Sequence, residues 1–126
     1  MAATRVVLRQ ARREDAPRLH ELHTAAVRSL CAPYYSPEII DGWLHNRNPN
    51  GYLSPIERGA IFVAEENARV VGFGETAPGA IVAVYVDPSL TLHGVGSAIL
   101  RRAIEVARRN HHGPIRVKST LNASGF

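Results

Sequence analysis

The sequence predicts a single α/β domain, and three observations carry that reading. The run Ala80 to Val86 (Ala-Ile-Val-Ala-Val-Tyr-Val) is apolar throughout and rich in β-branched residues, and Asp87-Pro88 stops it. That is the pattern of a strand buried on both faces. Beyond it Val95, Ile99, Ala103 and Val106 recur at helical spacing, with Leu100, Ile104 and Ala107 widening the stripe. Ser97, Arg101, Glu105 and Arg108 take the opposite side of that helix. Ahead of the central run, Ala60 to Ala64 and Val70 to Glu75 flank the turn Glu66-Asn67-Ala68 as a hairpin.

The remaining elements follow in chain order. Thr4 to Leu8 reads as a short β-branched strand. Arg12 to Pro17 then opens a helix, with Asp15 as the expected N-cap and Pro17 in the first turn. Its apolar stripe is Leu19, Leu22, Ala26 and Leu30, and it ends before Pro33. Ser36-Pro37-Glu38 starts a second helix carrying Ile39, Ile40, Trp43 and Leu44, with Trp43 expected in the core. Asn46 to Ser54 is dense in Asn, Pro and Gly and reads as loop. Pro78-Gly79 turns into the central strand, Asn110 to Pro114 stops the last helix, and Ile115 to Thr120 is a final strand. No repeat or linker divides the chain, so residues 1–126 are read as one domain.

Composition narrows the function classes. With 45% apolar and 21% charged residues the chain is an ordinary globular sequence. It has no apolar run of membrane-spanning length and no basic-then-apolar leader at Met1, so a cytoplasmic protein without membrane association is expected. Cys31 is the sole cysteine, which excludes an intrachain disulfide and a paired-cysteine zinc site. The formal charge of +4 raises a nucleic-acid reading. Against it, Arg12-Arg13, Arg101-Arg102 and Arg108-Arg109 are scattered pairs without interleaved aromatics, and no nucleic-acid partner is expected. His20 and His23 are neighbours on a helix but lack a third ligand at matching spacing, and no metal is expected.

The joint His93-Gly94-Val95-Gly96 between the central strand and its helix is the chemically suggestive stretch. Glycines at a helix start allow a tight turn and leave free N–H groups at the positive end of the helix dipole, an arrangement suited to phosphate. A dinucleotide fingerprint would need a third glycine where Ile99 stands and an acidic residue where Ile115-Arg116 occur. A P-loop would need a lysine that this loop does not contain. Two readings remain from the loop alone: a phosphate-bearing ligand, or a tight turn made for packing.

The loop resembles the acetyl-coenzyme-A motif of the GCN5-related N-acetyltransferases, Arg/Gln-x-x-Gly-x-Gly/Ala after a strand ending in Val-x-Pro. Here the slot is Thr91 to Gly96, preceded by Tyr85-Val86-Asp87-Pro88. Thr91 replaces the usual Arg or Gln, and Leu92 stands where glycine is common. The segments Phe62 to Glu65, Val70 to Phe73 and the ending Asn122-Ala123-x-x-Phe126 also resemble family pieces. The predicted element order is the family's order up to its fifth strand. The resemblance implies a mixed, mostly antiparallel sheet with flanking helices, and transfer of an acetyl group from acetyl-CoA directly to a primary amine in a ternary complex. A coenzyme-A-binding sensor without catalysis is the alternative.

Residue roles follow from the same resemblance. His93, Gly94, Val95, Gly96 and Ser97 would hold pyrophosphate, the backbone of Val84 and Val86 the thioester oxyanion, and Asn122 the pantetheine arm. Glu75, ending the third strand, is the carboxylate placed to take the amine's proton, its other reading being a solvated strand end. Tyr34 and Tyr35 stand where relatives wall the acceptor, or they simply pack. The acceptor is a small-molecule or protein amine. In relatives the ending continues with a tyrosine that serves as general acid and then two more strands. A C-terminally incomplete domain is therefore expected, or, if the chain is complete, a homodimer covering the last strand.

Overall fold

The computed structural model describes residues 6–45, 47–90 and 94–117. Strands β1 (Val6–Gln10), β2 (Ile61–Glu66), β3 (Arg69–Ala77), β4 (Ala80–Val86) and β5 (Arg116–Val117) form one sheet in that order. The first four pair antiparallel, and β4 pairs parallel with β5. Helices α1 (Ala16–Cys31), α2 (Pro37–Leu44) and α3 (Leu53–Glu57) precede β2, and α4 (Val95–Arg108) links β4 to β5. A parallel pair needs such a crossover, and its helix covers one face of the sheet.

The sheet separates two apolar clusters. On one face Leu19, Leu22 and Ala26 of α1 pack with Tyr52, Ile61, Val63, Phe73 and Tyr85. On the other, Val95, Ile99, Ala103 and Ala107 of α4 pack on Phe62, Ala64, Ile81, Val84 and Val86. β4 contributes to both, as its unbroken apolar run requires. Helix α4 approaches β3 closely because Gly72 and Gly74 lie beneath it. A Cβ on Gly72 would stand 2.7 Å from Ile99 Cδ1, and one on Gly74 would stand 2.6 Å from Phe62 Cζ. The β2–β3 turn places both Asn67 and Ala68 at positive φ (53° and 63°), the twist that two-residue hairpins favour.

Several sequence expectations are corrected. The loop expected over Asn46 to Ser54 contains a 3-10 turn, Pro49–Tyr52, that runs into α3. The Asn48 side chain accepts the Asn50 N–H at 2.9 Å and Pro49 occupies the first turn, so residues that read as breakers act as a helical start. Trp43 is 51% exposed and not in the core, because α2 buries Ile40 instead. Leu30 is likewise exposed near the end of α1. Asp15 precedes α1 with helical dihedrals and makes no cap bond to it, since a 3-10 turn (Arg13–Asp15) already leads into the helix. Its buried carboxylate instead accepts both Arg9 guanidinium branches, at 2.8 and 3.0 Å, and the Arg12 N–H at 2.7 Å. Burial pushes this carboxyl up, but the Arg9 and Arg12 bonds outweigh it and hold it below the usual range. The first strand runs to Gln10, past the expected end at Leu8, and the last begins at Arg116; Thr4 and Arg5, and Lys118 to Thr120 of the expected last strand, lie outside the described residues.

Candidate active site

The start of α4 has the properties its glycines suggest. Gly94 is the N-cap at φ +80°, exposed, and a Cβ there would meet no atom within 4 Å. The helix has no side-chain cap and no acidic residue in its first turn, and its first internal bond is Ala98 N–H to the Gly94 carbonyl at 3.1 Å. Its earliest N–H groups therefore have no intrahelical acceptor and sit at the positive dipole end. Val95 and Gly96 are buried and Ser97 is half-buried, so Val95 offers a ligand only its main chain. Val84 and Val86 are buried side chains beneath this helix, which also restricts them to main-chain contacts. His93 and Asn122 lie outside the described residues.

The β3–β4 register steps by one between Glu75 and Thr76. Ala83 faces Glu75 and Ile81 faces Thr76, leaving Val82 as the extra residue. Such a bulge bends and twists its strand. It also explains why Ile81 and Val84, three apart, share the α4 face while Ala83 and Tyr85 share the other. Glu75 stands directly opposite this bulge, and its neighbour Gly74 pairs with Val84.

On the α1 face Glu75 opens into a cavity of about 360 Å3, lined also by His23, Arg47, Asn48, Gly51, Tyr52, Pro55 and Phe73. α1 supplies His23, the 3-10 turn supplies Tyr52, and β3 supplies Phe73 and Glu75. His23 stacks on Tyr85 with centroids 4.4 Å apart, and Tyr52 meets Phe73 edge-on at 6.2 Å. His23 Nδ1 lies 2.7 Å from the Tyr52 hydroxyl and also contacts Arg47 Nη2. Guanidinium only donates, so Nδ1 carries the lone pair and the proton resides on Nε2. Burial, then the charge of Arg47 and the neighbouring His20, push the His23 imidazole down to about 4. It is neutral at physiological pH. Burial and the Glu75 charge raise the Tyr52 hydroxyl, with Arg47 acting the opposite way.

Of the residues singled out from sequence, Glu75, Val84 and Val86 come together on paired strands and Gly94 to Ser97 begin the helix over them. Tyr34 and Tyr35 do not join them. They are 81% and 47% exposed between α1 and α2, Tyr35 packs edge-on against Trp43 at 4.8 Å, and neither lines the cavity. Asp87 proves to be a turn residue, accepting the Ser89 N–H at 3.0 Å and hydroxyl at 2.8 Å. Arg47 and Tyr52 lie in the stretch that reads as loop, and the sequence pattern presents His23 only as a metal-ligand candidate beside His20. His23 had a signal: with Leu19, Leu22 and Ala26 it completes the inward stripe of α1. Tyr52 and Leu53 are the large apolar side chains of the segment from Asn46 to Ser54.

Taken together these features describe an α/β domain with an anion-suited helix start and a carboxylate-bearing cavity served by one strand pair. The chain belongs to the Acetyltransferase (GNAT) family, which it matches over residues 19–123. It is 30% identical over 91 residues to the uncharacterized N-acetyltransferase YafP of Escherichia coli, covering 72% of this chain. The match spans 60% of that relative's length. The fold is shared with the PaiA N-acetyltransferase of Thermoplasma acidophilum, solved in complex with coenzyme A (TM-score 0.73, 20% identity, 84% of this chain and 74% of that one). It is shared too with YncA of Salmonella typhimurium, solved with its cofactor acetyl-CoA (TM-score 0.65, 22% identity, 86% and 67%). The mixed five-stranded sheet with flanking helices is thus the fold the resemblance implied. Among the described residues no helix is long and apolar enough to cross a membrane.

Proposed function

We propose that the protein is an N-acetyltransferase of the cytoplasm that moves an acetyl group from acetyl-CoA directly to a primary amine. The observation that carries this is Glu75. It is a carboxylate in a small cavity, and it stands opposite the β4 bulge beside the Gly74–Val84 pair, while the uncapped start of α4 sits on the other face of the same strand. Acetyl-CoA supplies the activated acyl thioester. The chain's residues fit it: the N–H groups of Val95, Gly96 and Ser97 would hold pyrophosphate, with no acidic side chain in that turn to oppose it. The Val84 and Val86 main chain would face the thioester oxygen.

The acceptor side has a definite demand. An amine with a pKa near 10.4 is neutral in only about one molecule in 2500 at pH 7, a handicap of roughly 4.6 kcal/mol. Glu75, directly or through a water, takes the ammonium proton so that nitrogen attacks the acyl carbon. The C–N bond forms as the C–S bond breaks, the nitrogen gives up its second proton to solvent, and solvent protonates the released thiolate. His23, already neutral, stays uncharged beside the incoming amine.

A thiol-release assay with acetyl-CoA and a broad amine panel tests the proposal. Amine-dependent thiol release that falls in Glu75→Gln supports it. Coenzyme-A binding with no thiol release for any amine would show a binding module instead.

A further inference from the structure

We propose that the acceptor is a small amino acid-like zwitterion, its ammonium directed at Glu75 and its carboxylate held by Arg47 and Asn48. The inference rests on the acetyl-transfer reading above and specifies its substrate class.

The cavity lining holds one carboxylate, Glu75, and one guanidinium, Arg47, both of which act electrostatically on the Tyr52 hydroxyl. His23 adds no charge, since its imidazole is pushed down to about 4. The wall is therefore neutral overall but polar end to end, which matches a molecule carrying one charge of each sign. A plain amine would leave Arg47 unanswered, and a polyamine would bring a second cation towards it. Cationic acceptors are thus disfavoured at the Arg47 end.

Arg47 is also available. Among the described residues, ion pairs are formed by Arg9, Arg12, Arg13, Arg18, Arg28 and Arg102, and Arg47 is in none of them. Its bonds go to His23 Nδ1 and, at 3.5 Å, to the Tyr52 hydroxyl. The single Nδ1 lone pair is faced by two donors, Arg47 and the Tyr52 hydroxyl at 2.7 Å. One donor is therefore redundant, and a ligand carboxylate would give Arg47 an acceptor while Tyr52 keeps the imidazole. Asn48 offers its side-chain amide beside it, although its Oδ1 is engaged by the Asn50 N–H. At about 360 Å3 the cavity lies near the lower end of small-ligand pockets. Tyr52, Phe73 and Pro55 give it an apolar lining for a side chain.

The test compares matched acceptors: a set of free α-amino acids, their methyl esters, and the corresponding decarboxylated amines, with lysine-containing peptides alongside. Thiol release is measured for the wild type, Arg47→Ala and Arg47→Lys. Arg47 is exposed, so neither substitution should compromise folding, which thermal unfolding checks. The expected result is a kcat/KM for free amino acids about 10- to 100-fold above the esters and amines. Arg47→Ala should erase that preference mainly through KM for the carboxylate-bearing acceptors, and Arg47→Lys should restore part of it. Two results would overturn the inference while leaving acetyl transfer standing: esters, amines or peptides used as well as free amino acids, or Arg47→Ala shifting all acceptors equally. Absence of thiol release with every acceptor would overturn both readings together.

Discussion

Substituting Gly72 with alanine should loosen the protein and its cofactor side together. The new Cβ would meet Ile99 Cδ1 at 2.7 Å, the Tyr85 carbonyl oxygen at 2.9 Å and Val86 Cα at 3.5 Å. Comfortable carbon contacts begin near 3.5 Å, so the first two fall short by roughly 0.6 to 0.8 Å. Ile99 can swing its terminal methyl aside, but the Tyr85 carbonyl belongs to β4 and yields only if the strand moves. Overpacking of this kind costs about 1–3 kcal/mol, and replacing a strand glycine returns about 0.5–1 kcal/mol of backbone entropy. A net loss of about 1–2 kcal/mol lowers Tm by roughly 4–8 °C for a chain of this length. Calorimetric unfolding measures it, with Gly42→Ala as a control of opposite sign. Gly42 lies on α2 with nothing within 4 Å of a Cβ, so alanine there should stabilise by up to about 1 kcal/mol. Ile99→Val should couple favourably to Gly72→Ala by removing the nearer clash, without curing the backbone one. Because Ile99 belongs to the second turn of α4, coenzyme-A affinity should fall in the single variant and partly recover in the double. A Gly72→Ala protein within about 0.5 kcal/mol of wild type, or no coupling beyond about 0.3 kcal/mol, would refute this account of how the helix is seated.

Other substitutions address the two halves of the site and the sheet. Glu75→Gln should lower amine-dependent thiol release by about 10²- to 10⁴-fold, the range for a general base, with coenzyme-A affinity nearly unchanged in calorimetry. Gly94→Asp should do the reverse, weakening coenzyme-A binding by about tenfold or more by placing negative charge at the helix start, while circular dichroism shows an intact fold. Asp15→Asn should cost about 1–3 kcal/mol near pH 7, because Arg9 loses its buried partner and keeps only Glu65. The Asp15 carboxyl is held below its unfolded value, which lies near 3.9, so its contribution is complete above that value and is lost as pH falls through the folded one. Wild type and variant should therefore converge in urea denaturation as pH falls, and a gap that stayed constant from pH 7 to the acid limit of the folded state would contradict the ion-pair explanation.

β4 (Ala80–Val86) and the start of α4 at Val95 were legible to the residue, because an apolar run of one period is bounded there by proline and glycine; the helix ends at Arg108, just ahead of the expected stop at Asn110. The hairpin was legible as two β-branched runs about a polar turn, but its strands extend to Glu66 and Ala77, which leaves Asn67 and Ala68 as the turn. The short helix after Asn48 was not, because Asn, Pro and Gly mark helix starts and loop ends alike, and only the Asn48 side-chain bond distinguishes them. Trp43 misled because helical spacing identifies an apolar face without showing that another layer covers it. Glu75 stood out as a carboxylate expected to end a strand, although β3 runs on to Ala77 and Glu75 lies within it opposite the β4 bulge. Its cavity partners did not, since His23 and Arg47 reach it from segments remote in sequence, and a tertiary meeting of that kind leaves no local pattern.

The two apolar clusters divided by the sheet carry an evolutionary consequence. Residues that shape the Glu75 cavity come from α1, the turn at Tyr52 and one face of β3, whereas the anion-suited helix start rests on the opposite cluster. Changes distant from one another and without shared partners combine nearly additively. A lineage could therefore exchange His23, Arg47 or Tyr52 for other side chains and acquire a new acceptor while inheriting its donor apparatus unaltered. β4 is the exception, because a change on either of its faces is felt by both clusters. Diversity among descendants of this chain should accordingly gather on the α1 side and be scarcest along Ala80–Val86.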